Sequence, residues 1–224
     1  MLRAMKILAA AAALALAPAG AAFAQSSSLA AGVNLGTPGI GAELQLQLSD
    51  SLVLRGDADW LSYDRDEDYS GVPYGAELKS MTAGVFADWH PGATPFLVSA
   101  GAYFGERKVN LDATPSGPVN IGGQTFTPAQ VGRITGRAEM SKFQPFVGLG
   151  FDNTFTSGSG WGFRALAGVA FSKDPDVSLA ASGGTLSNDP TFQSLLRAEE
   201  ADVREDAKGI RYYPILQVGL TRRF

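Results

Sequence analysis

His90 is the only histidine in the chain, and there is no cysteine. That leaves one side chain whose ordinary pKa suits proton transfer near neutral pH. Its neighbours Asp88 and Pro91 put it at the rim of a strand or in a turn, where a structural histidine is expected rather than a catalytic one. A transition-metal centre needs several imidazole or thiolate ligands, so neither a metal nor a cofactor is expected. Asp64, Asp66, Asp68 and Ser70 repeat the opening spacing of a calcium loop. The sixth position is Tyr69 instead of glycine and the twelfth is Gly75 instead of Glu, so the run reads as a solvated acidic loop. Gly158-Ser159-Gly160 lacks the base and the strand–turn–helix setting of a nucleophile elbow. No catalytic residue is assigned, and the chain is not expected to be an enzyme.

The charged residues with regular spacing suit ion pairing. Glu43, Gln45 and Gln47 alternate with Ala42, Leu44, Leu46 and Leu48, and Arg55, Asp57 and Asp59 alternate with Leu54, Ala58 and Trp60. Successive side chains of a strand point to opposite faces, so each segment carries one polar and one apolar face. Arg107, Gln144, Arg164 and Gln217 occupy the polar face of later segments, joined by Asp88, Ser99 and Asp152. Buried charge must be paired, and both signs are present. The expectation is a polar network filling the lumen of a barrel: Glu43, Gln45, Gln47, Arg55, Asp57, Asp59, Arg107, Gln144, Arg164 and Gln217. Leu61, Phe86, Leu97, Phe146, Leu166 and Ile215 also point inward by parity, which motivates a rival reading as a narrow channel for small solutes.

The elements that must hold these residues are strands. Alternation bounded by turn residues marks eight segments, at 29–36, 41–49, 52–63, 77–89, 96–111, 139–153, 161–171 and the terminal 212–224. The fold class expected is all-β, an eight-stranded antiparallel up-and-down transmembrane β-barrel. Residues 37–40 form an unusually tight first outer turn, and one bent strand over 29–49 is the alternative there. Residues 64–75 read as a loop, and the third long loop has a hairpin tip at Ile121-Gly122-Gly123-Gln124. In the last outer loop, Asp189 and Pro190 open a short helix whose apolar stripe is Phe192, Leu195, Leu196 and Val203.

Residues 1–24 read as a signal peptide: Arg3 and Lys6, then the apolar run 7–16, then Ala22-Phe23-Ala24 as the cleavage site. Residues 25–224 are expected to form one barrel domain. No later stretch is apolar for the ~18 residues a spanning helix needs, so a membrane crossing would use strands. The net charge of −4 argues against a nucleic-acid partner. Bulky aromatics sit towards the ends of the outward sets: Trp60, Trp89, Phe96, Phe104, Phe143, Phe151, Trp161 and Phe171. That is the pattern of interfacial girdles.

Four segments carry a resemblance to known proteins: Ala87-Asp88-Trp89-His90-Pro91, Val119-Asn120-Ile121-Gly122-Gly123, Pro145-Phe146-Val147-Gly148-Leu149-Gly150 and the last strand. The chain resembles the small bacterial outer-membrane β-barrel superfamily that includes the OmpA membrane domain, OmpX and OmpW, and within it a group of proteobacterial outer-membrane barrels. The resemblance implies a Gram-negative outer-membrane location after cleavage near Ala24. It also implies recognition of the terminal strand by the barrel-insertion machinery through Leu216, Val218, Leu220 and Phe224. That strand departs from the family's aromatic-x-Phe ending, because Arg222 stands where an aromatic is usual. The expected partners are outer-membrane lipid and lipopolysaccharide, with a surface partner for the outer loops left open, and the barrel is expected to be a monomer. A barrel of eight strands is just wide enough for its own side chains. The expected function is therefore a plugged, non-enzymatic barrel serving envelope integrity or surface interaction, with an OmpW-like narrow transporter as the alternative.

Overall fold

The computed structural model describes residues 28–69, 72–207 and 211–224; the expected signal peptide lies outside the described residues. Period-two alternation gives twelve strands: β1 (Leu29–Gly36), β2 (Gly39–Ser49), β3 (Leu52–Tyr69), β4 (Val72–Trp89), β5 (Phe96–Ala113), β6 (Val119–Ile121), β7 (Gln124–Phe126), β8 (Gly132–Glu139), β9 (Phe143–Asp152), β10 (Trp161–Phe171), β11 (Asp176–Gly183) and β12 (Tyr212–Arg223). Two α-helices among the described residues, α1 (Pro128–Val131) and α2 (Pro190–Asp206), accompany them.

All pairings are antiparallel. They run β1–β2–β3–β4–β5, continue β5–β9–β10–β12, and return from β12 to β1. Three connections at the end carrying the C-terminus are short, among them the turn after β2 and a 3-10 turn at Pro91–Ala93. The opposite end carries the long insertions. The even alternation puts Leu44, Met81, Phe96, Leu149 and Leu216 on the exposed outer face while their neighbours are buried inside. Aromatic rings pair across strands at both margins of this apolar band: Phe96 with Phe151 at 6.0 Å between centroids, Phe104 with Phe143 at 5.4 Å, and Phe171 with Tyr212 at 5.8 Å. From Phe96 to Phe104 is about the length of strand that crosses a hydrocarbon core.

β5 is the branch point. Its first half, Phe96 to Phe104, pairs with β9, and its second half, Lys108 to Ala113, pairs with β8. Between them Gly105 has φ 132°, a value an L side chain rarely adopts, and it donates its N–H to Lys142 O (2.9 Å). Here β8 and β9 part, and β3, β4, β5, β8 and β11 continue as an extended sheet beyond the barrel wall.

Several expectations change at this point. Residues 64–75 are not a loop, because β3 and β4 stay in register up to Tyr69 opposite Val72. Acidic residues and Pro73 had signalled a loop, yet the backbone pairing of β3 with β4 continues through them. The expected sixth strand is β9, which begins only at Phe143, and residues 132–139 before it, read as the end of a loop, form the separate strand β8. β8 and β11 had not been expected; they line the far end of the extended sheet. Thr37-Pro38 does separate two strands. The Thr37 hydroxyl donates to Pro214 O (2.9 Å) and the Tyr213 hydroxyl donates to Thr37 O (2.7 Å), which ties the tight tip to β12.

The long-loop end folds as a second small core. Ile121 and Phe126 of the β6–β7 hairpin, Val131 of α1, and Phe192 and Leu196 of α2 are buried together, with Ile134, Leu179 and Leu195 packed against them. Asp189 caps α2 by accepting from the Thr191 and Phe192 N–H groups (2.8 and 2.9 Å), with Pro190 in the first turn. The helix packs on its own loops and on β11.

Candidate functional site: the filled interior

The barrel interior is built from the inward-facing half of each strand. Arg55 on β3 has a fully buried side chain. Its Nε donates to Asp88 (2.8 Å), its Nη1 to Asp57 (2.8 Å) and its Nη2 to Ser99 Oγ (3.3 Å), and Ser99 Oγ donates in turn to Asp88 (2.5 Å). The guanidinium lies 4.1 Å from the centroid of the Phe86 ring. One cation thus meets two carboxylates and an aromatic face, the arrangement that compensates a charge withdrawn from water.

A second network crosses from β10 to β2. Arg164 grips Glu43 with two nitrogens, and its Nη2 also donates to Gln217 Oε1 (2.9 Å). Gln217 Nε2 reaches Asp59 at 3.3 Å. Gln45 Nε2 donates both to Glu43 and to Asp152, each at 2.9 Å. Asp152 accepts from the N–H (2.8 Å) and hydroxyl of Thr154, whose hydroxyl meets that of Thr221 at 2.7 Å. The chain of bonds runs unbroken from Asp59 to the short-turn end.

Beside these networks the interior is apolar. Phe86, Leu97, Tyr103, Phe146, Leu166, Ala170 and Ile215 form one buried cluster. The rings of Phe86, Tyr103 and Phe146 pack edge-to-face at 4.9 to 5.6 Å. Gly168 makes room for Phe146: a Cβ there would stand 2.6 Å from its ring. Towards the long-loop end, Arg107 stacks between Tyr103 (5.0 Å) and Tyr213 (4.5 Å) and donates to Gln144.

Nine of the ten residues expected in the lumen are buried there: Glu43, Gln45, Arg55, Asp57, Asp59, Arg107, Gln144, Arg164 and Gln217. Gln47 is only half-buried, one step nearer the short-turn end of β2. Leu61, expected inward with the apolar set, is likewise half-buried and stays outside the apolar cluster. Asn34 and Thr154 are buried in the interior and were missed. Asn34 sits in a segment whose other inward positions are small, and Thr154 follows β9 outside any strand, so neither stood in an alternating run of polar residues. His90 is buried at the short-turn end, with its ring Nδ1 3.0 Å from Thr94 O and its backbone N–H donating to Ser51 O (2.8 Å). It therefore anchors a turn. The described residues contain no cluster of three or more His, Cys, Asp or Glu that could hold a metal.

The residues expected at the interfaces lie on the outer surface. Trp60, Trp89, Phe96, Phe104, Phe143, Trp161 and Phe171 are exposed, and Phe151 is half-buried. Leu216, Val218 and Leu220 of the terminal strand are exposed and Phe224 is half-buried. Arg222, the departure from the usual terminal pattern, lies opposite Trp161 with its guanidinium 5.2 Å from that ring.

No protein-family model matches the chain, and no curated protein matches it. Solved structures do match. CarO of Acinetobacter baumannii superposes with a TM-score of 0.58 at 19% identity, over 87% of this chain and 97% of that one. CarO2 of the same organism gives 0.60 at 20% identity, over 88% and 98%. A major outer membrane protein of Thermus thermophilus reaches a TM-score of 0.38 at 14% identity, over 88% and 97%. The two CarO structures show that the fold is that of an outer-membrane β-barrel.

Proposed function

We propose that this chain is a closed, eight-stranded barrel of the Gram-negative outer membrane whose lumen is plugged by its own side chains. In this reading it is a non-enzymatic monomer that serves envelope integrity or surface interaction through its outer cap. The pairings that return from β12 to β1 support the closed count. The exposed apolar band with aromatic margins supports the membrane crossing. The even count puts both termini and the short turns in the periplasm and the cap outside. Residues 1–24 supply the export signal, and the terminal strand the insertion signal.

The single observation that carries the plug is the pair of fully buried arginines, Arg55 and Arg164, each held by carboxylates within the lumen. Removing one partner of a buried pair strands a charge, so these groups resist displacement by passing solutes. Five of the apolar inward residues that motivated a solute channel pack against one another and Tyr103, which leaves them as filling. Conductance of the refolded protein in planar bilayers tests the reading. The expected result is a closed baseline broken at most by brief small events; large, stable openings would reject the plug.

A further inference from the structure

We propose that the outward face of the extended sheet, above the aromatic margin, binds the phosphorylated sugar headgroup of an outer-leaflet glycolipid. The inference rests on the reading that the barrel spans the outer membrane with its cap outside. On β3, β4 and β5 the outward positions are apolar up to Trp60, Met81 and Phe104. The same face then turns charged within one step. Its first full row sets Ser62, Lys79, Lys108 and Glu139 side by side across β3, β4, β5 and β8. The next row sets Asp64, Glu77, Asn110, Arg137 and Ser178 side by side from β3 to β11.

Two like-charge contacts stand out in these rows. Lys79 lies directly opposite Lys108, and Asp64 directly opposite Glu77. Like charges directly opposite each other weaken a ladder. Lys79 is met by Glu77 and Lys108 by Glu106 at 3.2 Å, each on its own strand, and Glu139 stands opposite Lys108 across the β5–β8 ladder. Lys142, close by, meets Glu106 at 3.4 Å and keeps 76% of its side chain exposed. A phosphate set between the two lysines would turn the repulsion into two charge-assisted bonds.

Immediately above, Asp64, Glu77, Asn110, Asp112 and Arg137 line a groove of about 550 Å³. Carboxylates, an amide and a guanidinium on one surface offer paired donors and acceptors to adjacent sugar hydroxyls. The two rows are two residues apart on each strand, about 7 Å. A headgroup bound here needs a phosphate at the lower row and a polar ring at the upper. A glycerophospholipid supplies the first without the second. The groove opens on the face continuous with the lipid-facing band, so the acyl chains of a glycolipid can descend along Trp60, Met81 and Phe104. A free sugar would forgo that contact.

The test begins with the full barrel refolded in detergent micelles and in vesicles, with insertion scored by heat-modifiable migration and protease protection. Binding of purified lipopolysaccharide is then measured by native mass spectrometry. The expected result is a stoichiometric complex that K79E/K108E weakens at least tenfold and Asp64→Asn with Glu77→Gln weakens by a few fold. A dephosphorylated lipopolysaccharide should bind the unmodified chain as weakly as native lipopolysaccharide binds the lysine variant. Phosphatidylglycerol, inorganic phosphate and the deacylated core sugar should each fail to compete. Should K79E/K108E not fold, Lys79→Gln with Lys108→Gln is read instead. Unchanged affinity in the folded lysine variant, or equal competition by phosphatidylglycerol, overturns the inference while leaving the barrel standing. Failure to insert overturns both.

Discussion

Arg164 on β10 and Glu43 on β2 are 121 residues apart in sequence, yet they meet as an ion pair with both side chains fully buried. Breaking such a pair from one side leaves an uncompensated charge, at about 3–5 kcal/mol, whereas replacing both partners with apolar residues of similar volume is often neutral. Arg164→Ala should therefore unfold at markedly lower urea in lipid vesicles. Arg164→Met combined with Glu43→Leu should recover most of the loss. A double variant less stable than either single one would contradict this account of the lumen.

Gly168 on β10 lies beside the Phe146 ring. A Cβ there would collide with that ring and with the Val147 carbonyl. Gly168→Val should displace Phe146 and reduce the fraction of protein showing the folded, heat-modifiable band. Adding Phe146→Ala should restore part of it by vacating the space. Phe146→Ala alone should cost about 3–5 kcal/mol, as for other large-to-small core changes.

Glu200 on α2 covers the free edge of β11. It accepts the Leu179 N–H (3.1 Å) and pairs with Arg204 (2.7 Å), while Arg204 donates to Val177 O (2.8 Å). The backbone bond from Leu179, then Arg204, holds its carboxyl below the ordinary value of 4.5. A carboxyl lowered on folding contributes stability that is present above its unfolded pKa and lost as pH falls through the lower folded one. The cap should therefore loosen in acid, below the ordinary carboxylate range. Pepsin cleavage at residues 183–190 should rise more steeply on acidification in the unmodified chain than in Glu200→Gln, which starts looser. Hydrogen exchange at the Leu179 amide at fixed pH should be faster in the variant.

Arg222 and Trp161 explain how the terminal strand tolerates a cation at the membrane margin. A cation over an indole is worth about 0.5–1 kcal/mol at an exposed site. Arg222→Tyr should insert at least as well as the unmodified chain, because an aromatic pair replaces the cation–π contact. Arg222→Asp should insert more slowly. Equal assembly rates for all three chains in a membrane-insertion assay would show that this position is not read.

Most of the barrel was legible because its signal is local. Alternation fixes which face a residue takes, so the inward positions of Arg55, Asp57 and Asp59 followed from parity alone. The extended sheet was not legible. Asp64, Asp66 and Pro73 carry the chemistry of a loop, and only the long register of β3 with β4 keeps them in strands. The division of β8 from β9 depends on Gly105 of another strand, which no window around residues 139–153 contains.

The sequence by itself determined the period, and with it an apolar exterior, a charged interior and the capped helix at Asp189, since each rests on neighbours within a few residues. Only the tertiary structure decided the partners: that Arg55 takes Asp57 and Asp88, that Arg164 crosses to Glu43, and that the apolar inward residues gather into one cluster beside them. Parity says that a side chain points inward, but which inward side chain it meets depends on strand register and on the circuit of pairings, which are properties of the whole sheet.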